Sequence, residues 1–410
     1  MKVAILFEVR TYSGGLLHQS LGVLDYIMSK EFSDYDIEII LISNSPKLQE
    51  SLTQKYKKKL KFFQFHKLAE RYGKLFDSGI LNIVLKKLNF KNPFEKFLIK
   101  NKYDLVFFLA PTKYINYCGN INFIVNLFDF NHRLENIFPE YRKEDIIYDT
   151  ERIIKKSVTH AYKILVNSLA AKNDLLNLYN CPNQKIDIIN YSSNLINKFN
   201  NNENNINCKK KLEKFIIDLG LNKKKNLLFY PAQFWPHKNH KYLVDVAKKL
   251  VKKNIDFQLI FCGAKKINYE YIKKEIVDND LTSKIIIFDY LEDEEVISIY
   301  HFCKAVIVPT YVGRTSLPLL ESIYFNKKIF YSQNILDGEI EKIITPFDLK
   351  NPDDLANKLI DFLNKDISEF KDDIILSEKY QNFLMDNKKS KEILKKIFNE
   401  FNYLIKRWKK

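Results

Sequence analysis

A chain of 410 residues is longer than one hydrophobic core usually supports, which predicts two domains. Its hydrophobic share of 46% is that of an ordinary globular protein, and no run of about 18 apolar residues occurs that would span a bilayer. The net charge of +16 suits anionic partners in general, but the lysines are spread so widely that solvated faces account for most of them, and no nucleic-acid-binding module is recognisable.

The first half alternates apolar runs with helical patterns. Strands are expected at "KVAILFEV" (2–9), "DIEIILIS" (36–43), "YDLVFFLA" (103–110), "NFIVNLF" (122–128), "YKILVNS" (162–168) and "KIDIINY" (185–191). Such unbroken runs suit parallel strands covered on both faces, and the helical patterns at 16–30, 140–157 and 168–180 supply the crossovers. The short apolar run of "MKVAILFEVRTYSGG" is broken by Glu8 and Arg10, so it is not read as a signal peptide.

Next comes "NKFNNNENNINCKKK" (197–211), Asn-rich and without periodicity, read as a linker or mobile loop. The α/β alternation then restarts with strands at 226–232, 257–263, 284–290, 305–310 and 327–332. Two doubly wound α/β domains joined by a hinge would face each other across a cleft, with ligands at the carboxyl ends of the strands. The expected division is 1–196, a linker at 197–222, a second domain at 223–385 and a basic amphipathic helix at 386–410. In that helix Ile393, Leu394, Ile397, Phe398, Phe401, Leu404, Ile405 and Trp408 form a stripe, which fits packing against the body or attachment to an anionic membrane surface.

Five cysteines, at 118, 181, 208, 262 and 303, include no CxxC and no close pair. Metal ligation and a disulfide framework lose support, and a reducing, cytoplasmic compartment fits.

Four stretches carry candidate chemistry. "PAQFWPHKNHKYLVDVA" (231–247) puts Lys238 and His240 after a strand end, where a helix beginning near 238 offers free N–H groups to an anion. A metal there would need further ligands, and no Asp or Glu lies within the turn; a solvated lysine beside a capping Asn239 is the bland alternative. "VPTYVGRTSLPLLES" (308–322) leads from a strand through Gly313, Arg314, Thr315 and Ser316 into a helix with Pro318 in its first turn and Glu321 one turn inside. That carboxylate is either an ordinary helix glutamate or an acceptor for a sugar diol. Gly14 and Gly15 follow the first strand, where a tight turn or a close backbone approach to a diphosphate would each require glycine. Asp129, His132 and Arg133 cluster after another strand, as a loop-fixing pair or as groups meeting a substrate hydroxyl.

Taken together and in this order, these stretches resemble the retaining GT-B glycosyltransferases of family 4, the "glycosyl transferases group 1" class. "YPAQFWPHKNHKYLVDVA" and "VPTYVGRTSLPLLES" resemble its donor-side motifs, while "SGGLLHQSL", "FDFNHR" and "ILVNSLAAKNDLLNLY" resemble its amino-terminal ones; the likeness extends over residues 1 to 365. It implies two Rossmann-like domains with the carboxy-terminal helix packing back on the first. It also implies transfer of a sugar from a UDP- or GDP-linked donor to a hydroxyl of a glycan or lipid-linked glycan, as in lipopolysaccharide, O-antigen or capsule synthesis.

By the same resemblance Lys238 holds the diphosphate, Glu321 the ribose, and backbone groups at Thr315, Ser316 and Leu317 the distal phosphate and sugar. Gly14 and Gly15 close over the donor, Gly263 and Tyr290 shape the base pocket, and Asp129 and His132 face the reacting centre. Two positions depart from the family. Gln233 stands five residues before Lys238, where an arginine is frequent, and Gly313 stands eight residues before Glu321, where a glutamate is frequent. Arg314 is a candidate replacement for the missing guanidinium.

No paired-carboxylate signature and no DxD motif accompany these residues, so the expected mechanism is retaining, without protein nucleophile, cofactor or metal. The lysine- and Phe-rich segment 54–76 reads as a solvated helix plus strand or as a membrane-facing patch, the latter placing the protein on the inner face of the cytoplasmic membrane. An inactive sugar-nucleotide-binding protein and a nucleotide-sugar epimerase are the rival readings.

Overall fold

The computed structural model describes residues 1–9, 15–43, 45–56, 59–63, 84, 91–189, 193, 195–196, 199, 206–313, 317–333, 341, 343–364 and 388–408. They fall into two compact units. Unit 1 comprises Met1–Phe130, Lys143–Tyr191 and Lys388–Lys410, and unit 2 comprises Asn131–Arg142 and Ser192–Asn387.

Unit 1 is built on seven strands: β1 (Lys2–Val9), β2 (Asp36–Ser43), β3 (Leu60–Phe62), β4 (Leu105–Phe108), β5 (Asn122–Asn126), β6 (Lys163–Val166) and β7 (Ile186–Ile188). They pair in parallel in the order β3-β2-β1-β4-β5-β6-β7. Both faces are covered, as the continuous apolar runs require: Val3, Ile5 and Phe7 enter one core and Ala4 and Leu6 the other.

The carboxy-terminal helix Lys388–Trp408 completes the first of those cores. Leu394, Ile397, Phe398, Phe401 and Ile405 are buried among Val3, Val23, Leu24 and Phe32. Phe398 meets Phe32 and Tyr35 edge-on, and the Tyr35 hydroxyl donates to Asn399 Oδ1 at 2.6 Å. At about 1.5–3 kcal/mol per buried large apolar side chain, this face is committed to unit 1. The stripe expected from the sequence is therefore a packing face, apart from Leu404 and Trp408, which stay exposed.

Unit 2 repeats the plan with β8 (Asn226–Pro231), β9 (Phe257–Cys262), β10 (Ile285–Phe288), β11 (Ala305–Val308), β12 (Lys328–Ser332) and β13 (Ile344–Phe347), ordered β10-β9-β8-β11-β12-β13 and wholly parallel. Strand order reverses between β8 and β11, so the loops leaving their carboxyl ends diverge to opposite faces and leave room there for a ligand. Within 197–222, a helix occupies Ile206–Asp218 and packs on Asp293–Phe302, where Leu212 meets Ile297 and the Leu212 carbonyl accepts from Ser298 Oγ at 2.5 Å. No helix among the described residues is long and apolar enough to cross a membrane.

Candidate active site

The site is organised by the turn after β8. Pro231 ends the strand, and Pro236–Lys238 form a short 3-10 turn before the helix His240–Lys252 begins. Lys238 thus precedes the helix instead of lying within it. Asn239 makes the junction in the left-handed conformation, φ 55°, which asparagine tolerates better than most residues. Its side chain does not cap the helix; it is buried, and its Nδ2 finds no hydrogen-bond partner. From below, the Tyr230 hydroxyl donates to the Lys238 carbonyl at 2.7 Å.

Gly263 explains how this turn can sit so low. A Cβ at Gly263 would lie 2.2 Å from the Ala232 carbonyl oxygen and 2.7 Å from the Gln233 nitrogen, so the end of β9 must be glycine for the β8 turn to lie against it. The turn is further pinned by Phe234 N–H to the Ala264 carbonyl at 3.2 Å. Gln233, where an arginine was expected, accepts at Oε1 from the Trp235 indole N–H at 3.0 Å. The Trp235 ring in turn carries the Lys266 ammonium on its face, 5.2 Å from the centroid.

His240, placed by the sequence after a strand end, lies in the core. It is fully buried, stacked on Phe234 at 4.2 Å and edge-on to Phe261, and neither ring nitrogen has a hydrogen-bond partner. Burial lowers its pKa to about 3, and the charges of Lys238 and His237 act in the same direction. It is a neutral core residue and offers nothing to a ligand. The flanking His237 has a defined place instead. Its backbone N–H and ring Nδ1 both bond Glu140 Oε1, at 3.1 and 2.5 Å, and its carbonyl accepts from Tyr311 N–H at 2.9 Å and Thr310 Oγ1 at 3.3 Å.

Those last two bonds tie the Lys238 turn to the loop after β11. That loop passes through Gly313, whose φ of +104° is open to glycine and strained for any side chain, and whose carbonyl accepts from the Tyr331 hydroxyl at 2.9 Å. The helix Leu317–Tyr324 follows, with Leu317 at its start. Glu321 is buried; Oε1 accepts from Ser193 Oγ at 2.5 Å and Oε2 from the Tyr300 hydroxyl at 2.7 Å. Burial, with the Glu321 carboxylate beside it, pushes the Tyr300 phenol far above its ordinary value, so it remains a donor.

Lys238, Leu317, Glu321, Gly263 and Tyr290 all belong to segments at the carboxyl end of the second sheet. Tyr290 lies two residues past β10, half exposed, and donates to Glu292 Oε2 at 3.2 Å. Asp129 is exposed after β5 in unit 1, whereas His132 is buried on the short helix Asn131–Leu134 of unit 2. Gly15 opens the helix Gly15–Ile27. Gly14, Arg314, Thr315 and Ser316 lie outside the described residues, as do 57–58 and 64–76 of the lysine-rich segment, whose described part is a helix end and β3. Glu140, Ser193, Tyr300 and Tyr311 were not singled out by the sequence: each meets its partner across a long stretch of chain, and nothing local marks it. No group of three His, Cys, Asp or Glu among the described residues is arranged to hold a metal ion.

Residues 212–383 match the family described as glycosyl transferases group 1. No curated protein matches the chain significantly. Among solved structures, a glycosyltransferase from Rickettsia africae is 17% identical with a TM-score of 0.67, covering 98% of this chain and 98% of its own. Anabaena HepE, solved with UDP-glucose, is 12% identical with a TM-score of 0.67, covering 98% and 100%. WaaG, a glycosyltransferase involved in lipopolysaccharide biosynthesis, is 12% identical with a TM-score of 0.62, covering 95% and 99%. At these identities the likeness establishes the fold, the two-domain GT-B arrangement of Rossmann-like units.

Proposed function

Proceeding from a GT-B fold whose residues 212–383 match the glycosyl transferases group 1 family, we propose that the protein transfers a sugar from a nucleotide-diphospho-sugar to an acceptor hydroxyl. The observation that carries this reading is the pair of bonds from Thr310 and Tyr311 to the His237 carbonyl, which bring the Lys238 turn and the loop leading to Glu321 together at the β8/β11 switch point. Similar structures with UDP and UDP-glucose bound make UDP the first nucleotide to try.

In this reading Lys238, the unpartnered Nδ2 of Asn239 and the N–H groups opening Leu317–Tyr324 meet the diphosphate. Glu321, oriented by Ser193 and Tyr300, holds the ribose. Gly263 and Tyr290 border the base. Thr315, Ser316, Arg314, Gly14, Gly15, Asp129 and His132 enter on the sequence resemblance, Arg314 as the cation that Gln233 does not supply.

Chemically, the bond from the anomeric carbon to the diphosphate oxygen breaks and a bond to the acceptor oxygen forms. The acceptor proton passes to the departing phosphate oxygen on the same face, which gives retention without a protein nucleophile or a metal. Negative charge grows on the diphosphate as that bond breaks, and fixed donors at Lys238 stabilise it where it develops. The acceptor class is a glycan or lipid-linked glycan of a lipopolysaccharide or capsule, with the protein working at the inner face of the cytoplasmic membrane; WaaG, of the same fold, is described for lipopolysaccharide biosynthesis. A thermal-shift screen against UDP-, GDP-, dTDP- and CMP-sugars tests the donor assignment, since a ligand of the folded state raises the melting temperature. Stabilisation by one nucleotide series supports it, and a flat response to all four contradicts it.

A further inference from the structure

One carboxylate beside the Lys238 turn is only half used. Glu140 lies in the turn Pro139–Tyr141, within the segment Asn131–Arg142 that packs into unit 2, and its side chain is 7% exposed. Oε1 is fixed by two donors of His237, the backbone N–H at 3.1 Å and Nδ1 at 2.5 Å. Oε2 is buried and has no hydrogen-bond partner. The carboxylate cannot easily swing away, because Phe138 and Tyr141 flank the His237 ring at 6.1 and 5.3 Å and Phe138 packs on Tyr311 at 5.4 Å. A buried acceptor left unpaired is costly, more so when charged, so one retained beside a binding loop calls for a ligand that completes it.

We propose that Glu140 is a specificity-determining residue whose Oε2 accepts a hydrogen bond from a hydroxyl of the sugar being transferred, with His237 as the positioning residue that holds the carboxylate in place. The proposal rests on the nucleotide-sugar reading above. An ionised carboxylate oxygen only accepts, so its partner is a hydroxyl, an N–H or a cation, and never the diphosphate itself. The sugar is the hydroxyl-bearing group joined to the diphosphate that Lys238, the next residue after His237, is placed to grip. Gly313, on the same loop as Tyr311, brings no side chain of its own, and Glu140 supplies a carboxylate against that loop. Burial and then the Lys238 charge lower the His237 imidazole to about 4, against the pull of Glu140, so at neutral pH the ring lends one N–H without becoming a counter-ion.

Isothermal titration of wild type, Glu140→Gln and His237→Ala with UDP and with UDP-glucose tests it, or with GDP and GDP-mannose should the guanine pair prove the ligand. Glu140→Gln keeps the acceptor for His237 and the shape, but places a donor where Oε2 accepted. The expected result is UDP affinity within about twofold of wild type and UDP-glucose affinity roughly tenfold weaker, the size of one charge-assisted hydrogen bond. His237→Ala shifts the same ratio in the same direction by less. If a variant melts too low to titrate, Glu140→Asp, which withdraws the oxygen by one methylene, replaces it and must show the same sugar-selective loss. Equal losses for UDP and UDP-glucose, or no loss for either, overturn the role of Glu140 while leaving nucleotide binding intact. Wild type that binds neither pair overturns the nucleotide-sugar reading first and this proposal with it.

Discussion

The Tyr230 hydroxyl, buried at the end of β8, donates to the carbonyl of Lys238 at 2.7 Å and so sets the height of the lysine above the sheet. Burial, with Tyr331 nearby, holds that phenol far above its ordinary pKa, and the bond persists at any working pH. Tyr230→Phe keeps the ring and deletes the donor to the Lys238 carbonyl. A stability loss of about 1–2 kcal/mol is expected in denaturant titration, together with weaker nucleotide binding in calorimetry. Unchanged affinity would mean that the turn holds its place without this bond.

Gly263→Ala is expected to be far more damaging than its single methyl suggests. The added Cβ would meet the Ala232 carbonyl carbon and oxygen at 2.4 and 2.2 Å, both backbone atoms that cannot rotate away. The β8 turn must lift, with an expected loss above about 2 kcal/mol and of the nucleotide-induced rise in melting temperature. A variant as stable and as responsive as wild type would show that the turn is free to move.

Gly313→Glu restores a residue frequent in the resembling family, yet a gain of activity is not expected. The backbone at Gly313 has φ +104°, where a side chain costs on the order of 1–3 kcal/mol, and relaxing it would displace the carbonyl bonded by Tyr331. Transfer assays should find lower activity than wild type, and an increase would show that the loop adapts readily.

The strands were legible where they are buried on both sides. "NLLFYPA" and "FQLIFCG" read as continuous apolar runs because β8 and β9 are central, and they became Asn226–Pro231 and Phe257–Cys262. β13, which escaped, and β3, read only as the strand of a solvated helix plus strand, are edge strands. β3 has three residues, with Phe62 exposed, and β13 contains Pro346, which an edge tolerates and a central strand does not. At the site, Lys238 and Glu321 were visible because strand–turn–helix patterns place them. The burial of His240 was not legible because it is decided by Phe234 and Phe261 on separate segments. The pairs Glu140–His237 and Ser193–Glu321 are 97 and 128 residues apart, beyond any local pattern.

Acid sensitivity follows from the two histidines. His237 and His240 titrate near 4 and 3 in the folded chain, against 6.5 ordinarily, so between these values the unfolded chain binds more protons. Stability is full above about pH 6.5 and falls as pH drops toward 4, each unit of lowered pKa corresponding to about 1.4 kcal/mol. His240→Leu removes one of these groups from an apolar pocket. Its stability at pH 7 should stay within about 1 kcal/mol of wild type, and its loss between pH 6.5 and 4 should be shallower. An unchanged slope would assign the acid sensitivity elsewhere.

The most direct test of the account is the release of nucleoside diphosphate from the stabilising nucleotide-sugar by wild type and Lys238→Ala, each first shown to be folded by its thermal melt. Lys238 is only partly buried, so the substitution should leave the melting temperature of the unliganded protein within a few degrees. The account predicts release by wild type and a rate lower by at least about 100-fold in the variant, as for loss of one fixed charge at a developing anion. Equal rates in the two proteins would contradict it.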